Sequence, residues 1–436
     1  MITRETIGMS DLHALPEAEL IELIEELLIK YEAYKSQNLK LDMTRGKPCT
    51  EQLDLSRGML DSVNAEDSFK SEDGVDTRNY GGLDGIPEAK KLFAEMLGVS
   101  TKEIIIGGSS SLTMMHDTLS RAMLNGVYGS KTPWSKLPVV KFLCPSPGYD
   151  RHFAICELFN MEMILINMNS DGPDMEQIEQ LVAGDDSIKG IWCVPKYSNP
   201  DGITYSDEVV DRLAKMNCKA EDFRIIWDDA YTIHHLTETP DPLKNILEAC
   251  KSAGHADRVL MFSSTSKISF AGAGVAMMAA SEANLGYIKK QLSVQTIGPD
   301  KINQLRHVRF YKDLTTLQAH MVKQAAIIKP KFDAVLSLLD VELGGKHLAT
   351  WKKPNGGYFI SLNTMNGCAT AVVKMAAEAG VTLTNAGATF PYGRDPLDRN
   401  IRIAPTFPTL ADVKSAIQIF CLCVEIVSLQ KMLKVN

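Results

Sequence analysis

Positive charge is in short supply in this chain: 46 Lys and Arg against 54 Asp and Glu leave its 436 residues at a formal −8 at pH 7. A nucleic-acid binder needs a basic face, and the balance argues against one. A small basic pocket inside an acidic protein stays possible. No run approaches the roughly eighteen consecutive apolar residues that a membrane helix requires. Residues 1–16 are polar and lack the apolar core of a signal peptide, so the cytoplasm is the expected compartment. The nine cysteines are an odd number scattered through apolar segments such as Trp192-Cys193-Val194, with no Cys-x-x-Cys pair. Reduced, mostly buried thiols fit that pattern, and no metal site is expected. Repeats, low-complexity tracts and flexible linkers are missing too.

Hydrophobic content of 45% and charged content of 23% are ordinary for a globular protein, and the length suits two domains or one elaborated α/β domain. Leu20, Ile21, Ile24, Leu27, Leu28 and Tyr31 recur at helical spacing and predict a helix over 17–36. Residues 41–48 read as an extended segment. Beyond Asn79, short β-branched runs alternate with helical stretches: 103–106, 139–144, 162–168, 190–194, 224–227, 258–262 and 275–280. Helices rather than hairpins separate most of them, which predicts a largely parallel sheet covered on both faces. A long helical region over 302–339 precedes a shorter mixed α/β section, and a domain boundary is expected inside it.

Ligands of open parallel sheets bind beyond the carboxyl ends of the strands, and polar residues gather there. Gly107-Gly108-Ser109-Ser110-Ser111 follows one strand and opens a helix. Free N–H groups, the helix dipole and three hydroxyls suit a phosphate, although plain serine capping explains the motif as well. Tyr149, on the turn Pro145-Ser146-Pro147-Gly148-Tyr149, offers a ring to stack on a planar group or merely packs on the core. Asn199, in Ser198-Asn199-Pro200-Asp201-Gly202, offers a hydrogen bond in what is also an ordinary turn sequence. Asp228, in Trp227-Asp228-Asp229-Ala230-Tyr231, is a carboxylate at a buried strand end and needs a cationic partner. That partner is a protonated ring nitrogen or a structural Arg or Lys. Lys267, closing Ser263-Ser264-Thr265-Ser266-Lys267 and followed by Ala271-Gly272-Ala273-Gly274, would be poorly solvated. Its pKa would fall and its amine would be free for Schiff-base chemistry, unless it is simply a surface lysine. Arg402, inside the apolar Asn400-Ile401-Arg402-Ile403-Ala404, suits a two-point grip on a carboxylate or a structural ion pair. Phosphate cradle, stacking aromatic, asparagine, aspartate, lysine and late arginine are the parts that pyridoxal phosphate and an α-amino acid require.

With these residues in place the chain resembles the class I/II aminotransferases of pyridoxal-phosphate fold type I, and among them the type Ic aspartate aminotransferases. Asp42-Met43-Thr44-Arg45-Gly46-Lys47-Pro48, Arg78-Asn79-Tyr80-Gly81-Gly82-Leu83-Asp84-Gly85 and Phe270-Ala271-Gly272-Ala273-Gly274-Val275-Ala276 carry that finer likeness. The resemblance implies an α/β fold: a large domain over 56–325 with a mainly parallel mixed sheet flanked by helices, and a smaller α/β domain over 326–436 joined by an N-terminal arm, 1–55. It implies that Lys267 bonds the cofactor and shuttles the Cα proton, that Asp228 pairs with the ring nitrogen, and that Tyr231 and Asn199 bond the ring oxygen while Tyr149 stacks on it. Ser109, Ser110, Ser111, Ser264 and Ser266 lie where the family holds the phosphate. Arg402, beside the Gly46 backbone, would grip the substrate α-carboxylate. Tyr80 matches a tyrosine that reaches the neighbouring subunit's phosphate, which implies a homodimer with shared sites. The implied reaction is aspartate plus 2-oxoglutarate giving oxaloacetate plus glutamate, by a ping-pong route.

One departure stands out. The family's phosphate-binding arginine after the lysine is replaced by Ala273-Gly274-Val275, which turns attention to Lys301, Arg306 and Arg309. For the side-chain carboxylate of aspartate, Arg45, Lys47 and Arg151 are the available cations, each otherwise an ordinary surface charge. A β-lyase or decarboxylase would share the cofactor residues. A transcription-regulator domain would need a basic winged helix ahead of the cofactor domain, whereas the residues before Arg45 are acidic.

Overall fold

The computed structural model describes residue 12 and residues 15–435, so residues 1–11 and 13–14 of the expected N-terminal arm, along with most of the polar start, lie outside the described residues. Twelve strands are present among them: β1 Leu41–Asp42, β2 Ile104–Ile106, β3 Lys141–Ser146, β4 Glu162–Asn167, β5 Ile188–Cys193, β6 Arg224–Asp228, β7 Val259–Ser264, β8 Ala276–Ala280, β9 Ala349–Trp351, β10 Ile360–Thr364, β11 Val381–Thr382 and β12 Asn400–Ile403. Seven form one sheet in the order β2-β8-β7-β6-β5-β3-β4. Of the seven, β8 alone runs antiparallel to the rest.

Both faces of this sheet are buried, as a parallel sheet requires, and the period-2 alternation of side chains decides which core each residue joins. Ile225, Trp227, Val259, Met261, Met277 and Ala279 pack on one face. Their neighbours Ile226, Leu260, Phe262, Met278 and Ala280 pack on the other. Order in space reverses between β3, whose chain moves outward to β4, and β5, whose chain moves inward to β6. The crevice at such a reversal is where an α/β sheet holds its ligand.

A second core gathers the antiparallel sheet β12-β10-β9, the parallel pair β1-β11 and three helices, Glu17–Lys35, Ala369–Glu378 and Leu410–Val435. The first of these helices follows Pro16, carries Glu17 and Glu19 in its opening turn and Lys35 in its last, and so complements its own dipole. Leu20, Ile24, Leu27 and Tyr31 form its buried stripe.

The expected single helical region over 302–339 is instead two helices, Lys301–Tyr311 and Leu314–Leu343. Lys312 takes a positive φ of 62°, and Asp313 then caps the second helix by accepting the Thr316 N–H at 2.7 Å. An N-cap aspartate is a strong start signal, and it breaks an otherwise continuous apolar pattern. The second helix joins the two cores: Leu317 and Met321 belong to the large-sheet core, Ile328, Phe332, Val335 and Leu339 to the other. The extended reading of 41–48 shrinks to β1, which pairs with Val381 and Thr382.

All nine cysteines are free, and only Cys218 is not fully buried. Among the described residues, no helix is long and apolar enough to cross a membrane.

Candidate active site

A cavity of about 680 Å³ opens at the carboxyl ends of β3, β5, β6 and β7, with walls from residues 44–47, 382–385 and β12. Of the residues singled out in the sequence, Arg45, Gly46, Lys47, Ser110, Ser111, Tyr149, Arg151, Asn199, Asp228, Tyr231, Ser264, Ser266, Lys267 and Arg402 all line it. Ser109 does not, although its carbonyl accepts a hydrogen bond from Ser266 Oγ at 3.4 Å. Tyr80 is 80% exposed and stands outside the cavity of its own chain.

The three basic residues considered as replacements for the phosphate arginine are not at the cavity either. Lys301 Nζ donates to Gly81 O at 2.7 Å, and Arg309 bonds Ser68 O and lies 3.7 Å from Asp67. Arg306 likewise lines no part of it. Their helix packs against the outer side of the Thr265–Val275 turn, where Asn303 Nδ2 donates to the carbonyls of Ala273 and Gly274 at 3.1 and 2.9 Å.

Lys267 sits just past β7 with its main chain anchored from behind. Its carbonyl accepts from Tyr358 Oη at 3.4 Å, and the next carbonyl, of Ile268, accepts from His320 Nε2 at 2.9 Å and Gln324 Nε2 at 3.0 Å. The amine lies 5.1 Å from the centre of the Tyr231 ring. Burial pushes its pKa below the ordinary lysine value, and the Asp228 charge pulls part of that back. A lysine held this way reaches its neutral, nucleophilic form at lower pH than a solvated one.

Asp228 ends β6 in the interior. Its Oδ2 accepts from His152 Nε2 at 3.0 Å, and the imidazole lies flat on Trp192, ring centres 4.1 Å apart and planes within 7°. The structural Arg or Lys that the sequence left open is therefore a histidine. Oδ1 is buried with no partner among the described residues. A buried carboxylate oxygen left that way is costly, and a cationic ring N–H in the cavity would complete it. Burial, with the Asp228 and Asp150 charges adding to it, pushes the Tyr149 phenol up to about 12. The Tyr231 phenol is likewise raised, chiefly by burial. Both stay protonated as donors.

Ser110 occupies the N-cap position of the helix Ser111–Asn125, yet its side chain makes no capping bond. The capping explanation of this serine run fails there, which leaves the hydroxyl and the first-turn N–H groups available to an anion. Ser264 Oγ donates to Ser266 Oγ at 3.0 Å across the same region. Cavity, orphaned carboxylate oxygen, buried amine and hydroxyl-lined helix start fit a phosphorylated pyridine aldehyde.

Arg402, in the middle of β12, directs its guanidinium into the cavity. Nη1 donates to Asp150 Oδ1 at 2.9 Å and Asn199 Oδ1 at 3.3 Å, while Nη2 donates to Thr384 Oγ1 at 3.3 Å. The Phe359 ring supports it from 5.0 Å. Gly46 lies against the same ring: a Cβ there would meet Phe359 atoms at 2.5 and 2.8 Å.

The model of the aspartate aminotransferase family matches residues 15–436. The chain belongs to that family. It is 44% identical over 409 residues to an aspartate aminotransferase of Corynebacterium glutamicum, covering 94% of each chain. The crystal structure of an aspartate transaminase from that organism superposes with a TM-score of 0.95 at 41% identity, covering 97% of this chain and 99% of that one. At 18% identity the fold is still shared with an α-aminoadipate aminotransferase of Thermus thermophilus, solved with N-(5′-phosphopyridoxyl)-L-leucine, at a TM-score of 0.72 over 91% of this chain. This family member is an aminotransferase of pyridoxal-phosphate fold type I, and pyridoxal phosphate is its cofactor.

Several residues at or behind the cavity escaped the sequence reading. His152 follows Tyr149 by three positions, one helical turn, so a same-face argument was available to find it. Phe359 and residues 382–385 carry no local mark, and only packing brings them to Arg402. Asp150 carries no mark either, since one acidic residue at a helix start is ordinary.

Proposed function

We propose that this aminotransferase takes the amino group of aspartate and passes it to 2-oxoglutarate. The observation that carries the proposal is the sharing of one cavity by the Lys267 amine, the Arg402 guanidinium and Asp228, whose Oδ1 has no partner among the described residues. Pyridoxal phosphate, when bound, supplies an aldehyde that bonds amines and a ring that accepts the electron pair left when the Cα proton departs.

Lys267 is the residue that bonds the cofactor and then, as a freed amine, moves the proton from the substrate's Cα. Asp228 keeps the ring nitrogen protonated, with His152 holding the carboxylate in place. Tyr231 and Asn199 bond the ring oxygen and Tyr149 covers a ring face. Ser110, Ser111, Ser264 and Ser266, with Ser109 beside them, hold the phosphate. Arg402 binds the α-carboxylate against the Gly46 backbone.

Arg45 and Arg151 supply charge for the substrate's second carboxylate. Both line the cavity, and among the described residues neither has a carboxylate within 4.0 Å. Lys47 is engaged elsewhere, its ammonium 3.8 Å over the Phe407 ring.

We read the chain as a large cofactor-binding unit, 56–325, and a smaller unit from 1–55 and 326–436, working in the cytoplasm as a homodimer. The exposed Tyr80 would then reach the partner's phosphate site. The test is an absorbance scan of the purified protein before and after aspartate, followed by product analysis with 2-oxoglutarate. Conversion of the cofactor band with formation of glutamate and oxaloacetate supports the proposal. Pyruvate with ammonia, or release of carbon dioxide, would replace it with a lyase or decarboxylase. Light scattering of the protein in solution tests the dimer.

A further inference from the structure

The guanidinium assigned to the substrate already holds a carboxylate. Arg402 Nη1 donates to Asp150 Oδ1 at 2.9 Å, with the arginine side chain 6% exposed and the aspartate side chain 33% exposed. The two halves of this pair are anchored differently. Arg402 stands in β12, braced by Asn199, Thr384 and the Phe359 ring. Asp150 is the first residue of the helix Asp150–Leu158, lines the same cavity, and has solvent on one side.

We propose that Asp150 is a built-in stand-in for the substrate: it holds Arg402 until an α-carboxylate arrives and then gives that guanidinium up. The inference rests on Arg402 being the α-carboxylate site. Two carboxylates on one buried guanidinium repel each other, so one of them leaves. Asp150 is the one able to leave. It is partly solvated, and at a helix N-terminus the macrodipole stabilises its charge without Arg402. Until then it spares the enzyme an unpaired buried cation, the costly alternative.

A stand-in taxes every ligand that uses Arg402 by the same factor. Amino acid and oxo acid both present an α-carboxylate, so both should be affected, and the effect belongs to binding rather than to the chemical step. Asp150 is thus a positioning residue that sets affinity through Arg402.

The test uses the cofactor-loaded enzyme and succinate, a dicarboxylate without an amino group, with its dissociation constant read from the cofactor absorbance. KM and kcat for aspartate and 2-oxoglutarate are measured alongside. In both Asp150→Asn and Asp150→Ala, succinate should bind about tenfold tighter, the scale of one charge-assisted hydrogen bond no longer broken on binding. Both KM values should fall together while kcat does not rise, and Asp150→Glu should restore the wild-type constants. Weaker succinate binding or raised KM values in Asn and Ala would mean that Asp150 holds Arg402 in shape for the ligand, which overturns the inference. Unchanged constants overturn it as well. Arg402→Gln separates the two levels: if it leaves succinate binding intact, the carboxylate-site assignment itself is wrong. If it abolishes binding while the Asp150 variants are silent, only the stand-in role is lost.

Discussion

His152 and Asp228 meet at 3.0 Å in the interior, and the imidazole that makes this contact is clamped flat on Trp192. One carboxylate oxygen is thereby fixed and the other, Oδ1, has no partner among the described residues. A carboxylate turned by a rigid neighbour does not need to reorganise when a cation arrives, which is the sense in which such a site is preorganised. Replacing His152 by Leu keeps the volume and removes the bond. We expect kcat to fall about tenfold to a hundredfold, the scale of one lost hydrogen bond to a charged group. Asp228→Asn should cost on the order of a hundredfold to a thousandfold. Steady-state kinetics of the two variants and their double mutant check this, and additive effects would show that His152 does not act through Asp228.

Lys267 should be the residue that reduction with borohydride fixes to the cofactor. A single peptide spanning Lys267 should carry the added mass, and Lys267→Ala should lower turnover by at least about a thousandfold. Label on any other lysine would refute the assignment.

Arg45→Gln and Arg151→Gln should each raise KM for aspartate and leave KM for alanine, which has no second carboxylate, unchanged. About tenfold per variant is expected from losing one charged contact. Equal effects on both substrates would place these residues away from the substrate's side chain.

Gly46→Ala tests the contact behind Arg402. The added methyl would enter the Phe359 ring, whose nearest atom lies 2.5 Å from where the Cβ must stand. We expect the ring to shift, a stability loss of about 1–3 kcal/mol, and a rise in KM for amino acid and oxo acid alike. Chemical denaturation together with kinetics gives both quantities.

Acid sensitivity follows from buried neutral histidines. His307 lies under the Lys267 turn, bonded to Ser269 Oγ at 2.8 Å and Thr265 Oγ1 at 3.1 Å, and burial lowers its pKa to about 4. The unfolded chain takes up this proton below about pH 6.5 while the native state refuses it until near 4. Stability from this group is therefore whole above pH 6.5 and declines as the pH falls toward 4, by roughly 3 kcal/mol in all. His307→Gln should show a flatter decline between pH 7 and 5 in urea unfolding. An unchanged slope would count against it.

Much of this protein was legible along the chain. The seven runs of the large sheet fall where apolar, β-branched segments alternate with helical ones, because that pattern is local and a buried strand has few other ways to look. The residues just past those strands, from Ser110 through Asn199 and Asp228 to Lys267, could be named for the same reason: they are polar groups at predictable strand ends. What the sequence did not determine are the partnerships across it. Arg402 and Asp150 are 252 positions apart, and His152 and Asp228 are 76 apart. A side chain's neighbours at such separations are set by how two cores pack together, not by periodicity. Tertiary structure alone decided that Asp228 answers to a histidine, that Phe359 and Thr384 brace Arg402, that Lys301, Arg306 and Arg309 line no part of the cavity, and that the long helical stretch breaks at Lys312.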